Sequence, residues 1–361
     1  MSNVVHLNIT SRNAREGGRL AQLLAAFAAH RRIGDDVFWL KENAELLNIL
    51  ECSGPRPEGL AEALAAAHGG FYADVEKRLG FFPQYYRFLL SICLDLEDLG
   101  MPGHKGEALA AWIADQGLAD AEMSDLQRAE ARRLMLRRGV DPMAHDGGLD
   151  ARLHRFISRA ETFALPNKKA AYELTHTVFY LSEYGRRDPG LGREAARSLE
   201  FAGTLAFLDL NADLLAEVCI AMRHAGLTPP AAWEGWLARH TRAFAVEAGD
   251  HLAPGDDYHE FFVCNWLEAS AGRAAFARDF TAGRMGFFRP ETGRGPLREM
   301  SECMFRLEGS RQGDWQKMRP RILEELSEGG RAVLAEAEAA SSCFDAFFEG
   351  FARVAQARVA S

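Results

Sequence analysis

Strand signals are nearly missing from this chain. Beyond the first ten residues no run alternates apolar and polar side chains with β-branched residues, which excludes a β-sandwich, a barrel or a repeating βαβ fold. No apolar run approaches the ~20 residues that a bilayer crossing needs, so no membrane span is expected. The opening MSNVVHLNITSRNAREGG lacks an apolar core behind a basic cap, so no signal peptide is expected either. Positive charge is in deficit: 42 Lys and Arg against 51 Asp and Glu leave a net charge of −9. Nucleic acid needs a cationic surface, so it is not expected as a main partner. Basic clusters at Arg132-Arg133, Arg137-Arg138 and Arg186-Arg187 have acidic neighbours and read as solvated helix ends. Cysteine is sparse, six in 361 residues and none closer than 39 positions to another. That spacing rules out a CxxC knuckle, and a chain of this length has no need of disulfides. Buried, reduced thiols in a cytoplasmic protein are the expectation. P-loop, GxGxxG, GxSxG, HExxH and kinase signatures are absent, as is any repeat of fixed length.

What is present is helical periodicity in abundance. At 48% hydrophobic and 26% charged residues, the chain can build a real core of two or three packing units. Residues 4–9 read as a short strand or an ordered tail, and Ser11-Arg12-Asn13 opens the first helix. Asp35 or Asp36 caps a helix that runs through Leu50. Residues 58–67 and 71–79 read as two helices split by Gly69-Gly70, and residues 84–99 as a strongly apolar one. Helices follow over 107–138, 149–163, 168–186, 191–207, 211–225, 231–247 and 256–277. Three more close the chain at 297–307, 315–326 and 330–355. Gly- and Pro-rich stretches at 101–106, 139–148 and 284–296 are candidate boundaries. They suggest an N-terminal unit over 1–105, a central unit over 106–285 and C-terminal helices over 286–361. The fold expected is all-α: an array of antiparallel helix pairs or an incomplete α/α toroid. The pair Phe287-Phe288 reads as a lid or, better, as a hydrophobic latch between units.

Residues 168–186, KKAAYELTHTVFYLSEYGR, carry the sharpest chemistry. Asn167 and Gly185 suit the two helix ends. At 100° per residue, Glu173, His176, Tyr180 and Glu183 form a narrow stripe opposite the apolar face, without the Lys and Arg of a solvated surface. A Glu-x-x-His pair sets a carboxylate and an imidazole one turn apart, where both reach one metal ion. On 210–226, Asp213, Glu217 and His224 share a stripe. On 256–270, His259 lies on a face with Phe262, Val263 and Trp266. If these helices meet at one cavity, Glu173, His176, Glu217 and His259 form a two-His, two-carboxylate set suited to a single Zn, Fe or Mn. Tyr180 would then orient substrate or donate a proton, with Glu183 or Asp213 as base or outer support. The bland alternative is a buried polar network that fixes helix register. His104 and His145 lie on Gly-rich loops and read as exposed.

ELTHTVFYLSEYG, NADLLAEVCIAMR and YHEFFVCNWL, with DDVFWLKENAELLNILE and VEKRLGFFPQYYRFLLS before them, resemble in order and wording a family of uncharacterised all-helical bacterial proteins. That family is a domain of unknown function with an ELTH-x-x-FY motif, and the likeness spans residues 35–268. It implies a helical fold and carries over no activity. Two functions remain open. One is a metal-dependent enzyme activating water or O₂ on a small organic substrate in a helical cavity. The other is a non-catalytic scaffold that binds a peptide or protein on a concave face.

Overall fold

The computed structural model describes residues 12–354 apart from 35, 55, 254 and 282, and not the side chains of residues 12 and 13. The strand expected at residues 4–9 lies outside the described residues. The first six helices are α1 (Arg12–Ala25), α2 (Val37–Ser53), α3 (Leu60–Phe81), α4 (Tyr86–Asp98), α5 (Lys105–Asp115) and α6 (Asp125–Leu136). Next come α7 (Leu149–Ile157), α8 (Ala160–Phe163), α9 (Lys168–Leu181), α10 (Arg193–Leu208), α11 (Ala212–His224), α12 (Ala231–Ala243) and α13 (Tyr258–Ser270). Last are α14 (Leu297–Arg306), α15 (Trp315–Glu325), α16 (Glu328–Ala340) and α17 (Phe344–Phe351). Side-chain caps start several of them. Asp36 accepts from the Trp39 amide, Asn167 from Ala170 and Asn211 from Leu214, each satisfying a donor that a helix start leaves orphaned.

Alternate helices line a ring. α2 packs on α4, α4 on α6, α6 on α9, α9 on α11 and α11 on α13, and α13 returns to α2. The intervening helices α3, α5, α7, α10 and α12 pack against this ring from outside. The expected array is therefore curled into a toroid, and the toroid is closed rather than incomplete. Burial follows from this placement. Every residue of α11 from Leu214 to Met222 is buried, and a helix apolar on all sides belongs inside a fold. α14–α17 add an outer layer, α16 resting on α10 and α12, and α17 on α8. One hydrophobic cluster runs from Leu20 to Ala352, across the segments 1–105, 106–285 and 286–361.

Where α13 meets α2 the ring is clasped by Arg31, just after a single π-helical turn at Ala26–His30. Its guanidinium donates to Glu42 at 3.0 Å, to both Asp256 oxygens at 2.7 and 2.8 Å, and to the Met285 carbonyl at 2.8 Å. These side chains are about 1% exposed. The same guanidinium lies over the Phe27 ring at 4.7 Å.

Several local expectations need correcting. α3 runs unbroken through Gly69-Gly70. Each glycine costs about 1 kcal/mol in a helix, but Leu64, Phe71 and Val75 on the same helix are buried and offset it. The helix expected over 231–247 stops at Ala243, and β1 (Ala245–Ala248) pairs antiparallel with β2 (Met285–Phe288), Ala245 opposite Phe288. The helix expected over 256–277 ends at Ser270. Phe287 is fully buried against the rings of Phe27, Phe261 and Phe262, so it is a latch and not a lid. All six cysteines are free thiols. No described helix is long and apolar enough to cross a membrane.

Candidate functional site

The ring encloses a cavity of about 220 Å³, walled by side chains from α2, α4, α6, α9, α11 and α13 together with Tyr184. A larger hollow of about 730 Å³ lies on the outside beside Phe81, Phe82 and Tyr85, but its lining holds no imidazole. Another, of about 710 Å³, includes His240, Glu260 and Arg289. There the charges are mutually paired, with His240 Nε2 2.6 Å from Glu260 and Arg289 3.4 Å from the same carboxylate. Of these three hollows, the inner cavity is the one that brings imidazoles and acids together beside described groups left without hydrogen bonds.

At one end of it stand Glu217 on α11 and His259 near the start of α13, with Asp213, one turn before Glu217, beside them. One ligand atom from each lies within 4.8 Å of the others. Donors around an ion bound at ~2.1 Å are at most about 4.2 Å apart, so small side-chain rotations close this set on one ion. His259 Nδ1 is 2.6 Å from Glu45 Oε1 and its Nε2 is 3.3 Å from Asp213 Oδ1. A carboxylate behind an imidazole whose other nitrogen faces the centre is the outer support that metal-binding histidines use. Tyr172 donates to Asp213 Oδ2 at 2.5 Å, while Asp213 Oδ1 is buried without a hydrogen-bond partner. Thr175 donates to Glu217 Oε2 at 2.5 Å. His176 Nδ1 lies 3.6 Å from that oxygen and 2.8 Å from the Tyr172 carbonyl. A carbonyl only accepts, so Nδ1 carries the hydrogen and a neutral His176 keeps Nε2 bare.

The electrostatics follow from this crowding. Burial lifts the Glu217 carboxyl above its ordinary range, and Asp213 adds to the lift against His176, Thr175 and His259; the residue is 3% exposed. Burial works against a charged His259, yet Glu45, Asp213 and Glu217 outweigh it and raise its pKa to about 10. The imidazolium is thus the cation that balances the acids. Its side chain is 41% exposed, so water screens these pairs. Burial also raises the Tyr180 phenol, which lines the cavity as a neutral hydroxyl.

The other end of the cavity is different. Arg133 on α6 is 5% exposed, and its guanidinium lies 4.1 Å from the centre of the Tyr184 ring. Arg87 beside it is taken up by Glu122 and Glu130. Phe179 and Trp266 contact at 4.9 Å, and Tyr184 stacks on Trp266 at 5.6 Å. Glu183, Tyr184 and Gly185 all have positive φ, at 48°, 55° and 83°. This turn holds Tyr184 against Arg133, and Gly185 has no room for a Cβ, which would meet His224 Nδ1 at 2.5 Å.

Of the residues singled out from sequence, His176, Tyr180, Glu217 and His259 line this cavity, and Asp213 joins the ligand group rather than standing behind it. Glu173 does not take part. Its carboxylate is 38% exposed and faces Lys169 Nζ at 3.9 Å. Glu183 does not either, because α9 ends at Leu181 and the left-handed turn breaks the helical phase; it pairs with Arg187 at 3.3 Å. His224 is half-buried and packs on the rings of Phe179 and Trp266 rather than joining the ligand group. His104 and His145 are exposed as expected. Arg133 is not a solvated helix end but a buried wall of the cavity. Glu45, Tyr172 and Thr175 went unsuspected as well.

Fold and site together define a closed ring of helices with an acid–imidazole cluster in its central cavity. The chain belongs to the family described as Domain of unknown function (DUF6902), which it matches over residues 1–354. A search of curated proteins gave no significant match. A search of solved structures gave none either.

Proposed function

We propose that this protein is a metal-dependent enzyme acting on a small organic substrate inside the helical ring. Asp213, Glu217 and His259 would hold one divalent ion of Zn, Fe or Mn, with His176 across from them as a further ligand or as the group that handles a substrate proton. One observation carries this reading: ligand atoms of Asp213, Glu217 and His259 lie within 4.8 Å of one another, and the buried Asp213 Oδ1 has no hydrogen bond, only the charge contact with His259 Nε2 at 3.3 Å. A buried acceptor so weakly satisfied is rare, and a bound ion is one standard reason for it. The mixed O and N donors suit those three metals and disfavour a thiol-type site.

Bound there, the ion would activate water or O₂. The chain's own groups do the rest. Glu45 fixes the His259 ring, while Tyr172 and Thr175 pin the two carboxylates. Tyr180, neutral, can donate a hydrogen bond to substrate. The aromatic wall gives an apolar flank to the substrate, and about 220 Å³ falls below the ~300–1,000 Å³ of drug-sized sites, which restricts the substrate to a small molecule. Six free thiols fit a cytoplasmic setting, and no nucleic-acid partner is invoked.

Elemental analysis of the purified protein tests the proposal. About one equivalent of Zn, Fe or Mn is expected, lost in an Asp213→Asn, His259→Ala double variant. Adding that metal back to chelator-treated wild type should raise Tm by several degrees. Metal-free protein whose melting ignores both chelator and added metal would overturn it, leaving His259 as a permanent counter-cation in a non-catalytic scaffold.

A further inference from the structure

Arg133 presents a buried charge that no described carboxylate pairs. Its Nε and Nη2 are buried without a hydrogen-bond partner, and no described carboxylate lies within 4.0 Å of its guanidinium. The acids whose fields reach this neighbourhood are already engaged. Asp95 is held by Arg137 at 2.7 Å, and Glu130 by Arg87. An unpaired buried cation is costly, and stacking on Tyr184 at 4.1 Å recovers only part of that cost. The guanidinium also borders the cavity that holds the acid–imidazole cluster.

We infer that Arg133 is the anchor for a carboxylate group on the substrate, which is a small organic monoacid with an apolar body. This rests on the reading of the cavity as a substrate site and names its substrate class. A guanidinium matches a carboxylate through two parallel hydrogen bonds. A single carboxylate fits better than a phosphate because Arg133 is the one buried, unpaired guanidinium among the described lining residues, Lys41 being an exposed cation of the same cavity, while Glu45, Glu130 and Glu217 line that space too and would repel a second negative charge. The carboxylate sits at the Tyr184 end. The rest of the molecule lies along Phe179 and Trp266, toward His176 and the acids.

Calorimetric titration with acetate, butyrate and benzoate, each against its amide and against inorganic phosphate, tests this. At least one acid should bind wild type at least tenfold more tightly than its amide or than phosphate. Arg133→Met should lose at least tenfold, and Arg133→Lys less. Arg133→Met without ligand should melt at the wild-type temperature or above it, which a structural arginine would not allow. Equal binding of acid and amide, tighter binding of phosphate, undiminished binding by Arg133→Met, or no binding of any of the acids overturns the inference. Each titration is repeated in chelator. Acid binding that vanishes with the metal yet survives Arg133→Met assigns the carboxylate to the metal and overturns the Arg133 role alone. Arg133-dependent binding in a protein that takes up no metal sustains the role of Arg133 and removes the metal.

Discussion

Two buried arginines divide this molecule by purpose. Arg31, at the clasp between α13 and α2, spends its guanidinium on Glu42, Asp256 and the Met285 carbonyl. Arg133, on the cavity wall, has an aromatic ring beneath it and no acid beside it. Both are about equally hidden from water, so burial alone does not separate them. What separates them is satisfaction. A buried polar group with every partner in place fixes geometry, and one with partners missing waits for something to arrive.

The comparison can be broken most sharply at the clasp. Arg31→Met leaves the Asp256 carboxylate buried without a counter-cation and Glu42 with Arg32 alone at 2.8 Å, which costs about 3–5 kcal/mol. Thermal melts should show a loss on the order of 10 °C, where Arg133→Met shows none; equal losses would erase the distinction. A smaller effect comes from a neutral buried group with one partner missing. His68 donates from Nε2 to Asn43 Oδ1 at 2.8 Å, leaves Nδ1 unpartnered, and has its pKa lowered by burial to about 4. The fold therefore favours neutral His68. Its contribution is complete above pH 6.5 and is lost as pH falls toward 4, about 3 kcal/mol in all. Urea melts at pH 7 and pH 4.5 should show this decline, and His68→Gln should flatten it. Next in size is Glu217→Gln in metal-free protein. Because burial raises this carboxyl, removing its charge should leave stability at pH 7 unchanged or slightly higher while abolishing metal uptake. A stability loss above 2 kcal/mol would place Glu217 with Arg31 instead. Smallest is Glu173→Ala, which removes an exposed i,i+4 pair worth roughly 0.3–0.5 kcal/mol and should not change metal content.

Much of this was written locally in the chain. Asn167 and Asn211 cap the helices they precede, and helical periodicity with almost no strand signal gives an all-α array of helix pairs, whose closure into a ring only the contacts reveal. The inward turn of Glu217 and His259 was legible because each shares its face with apolar neighbours at helical spacing, and that of His176 and Tyr180 because their stripe carries no Lys or Arg. Glu173 and Glu183 failed for a local reason too: helical phase was extended past Leu181, where the backbone leaves the helix, and a stripe shared with His176 was taken to reach as far inward. Arg133 was hidden by its company in QRAEARRLMLRR. Its phase held the signal, since it lies four residues after buried Ala129 and seven after Leu126, on the apolar side of α6. Glu45 had no such signal. It stands 214 positions from His259, and only ring closure brings them together.

That closure also sets a timetable. At ~5–20 residues per second, a ribosome takes roughly 10–45 s to travel from Glu45 to His259. Throughout that interval the inner face of α2 has no α13 to cover it. The nascent chain must hold an open, sticky arc, and contacts between such distant segments form slowly. A chain released before α13 emerges would carry most of the ring but neither its closing helix nor His259.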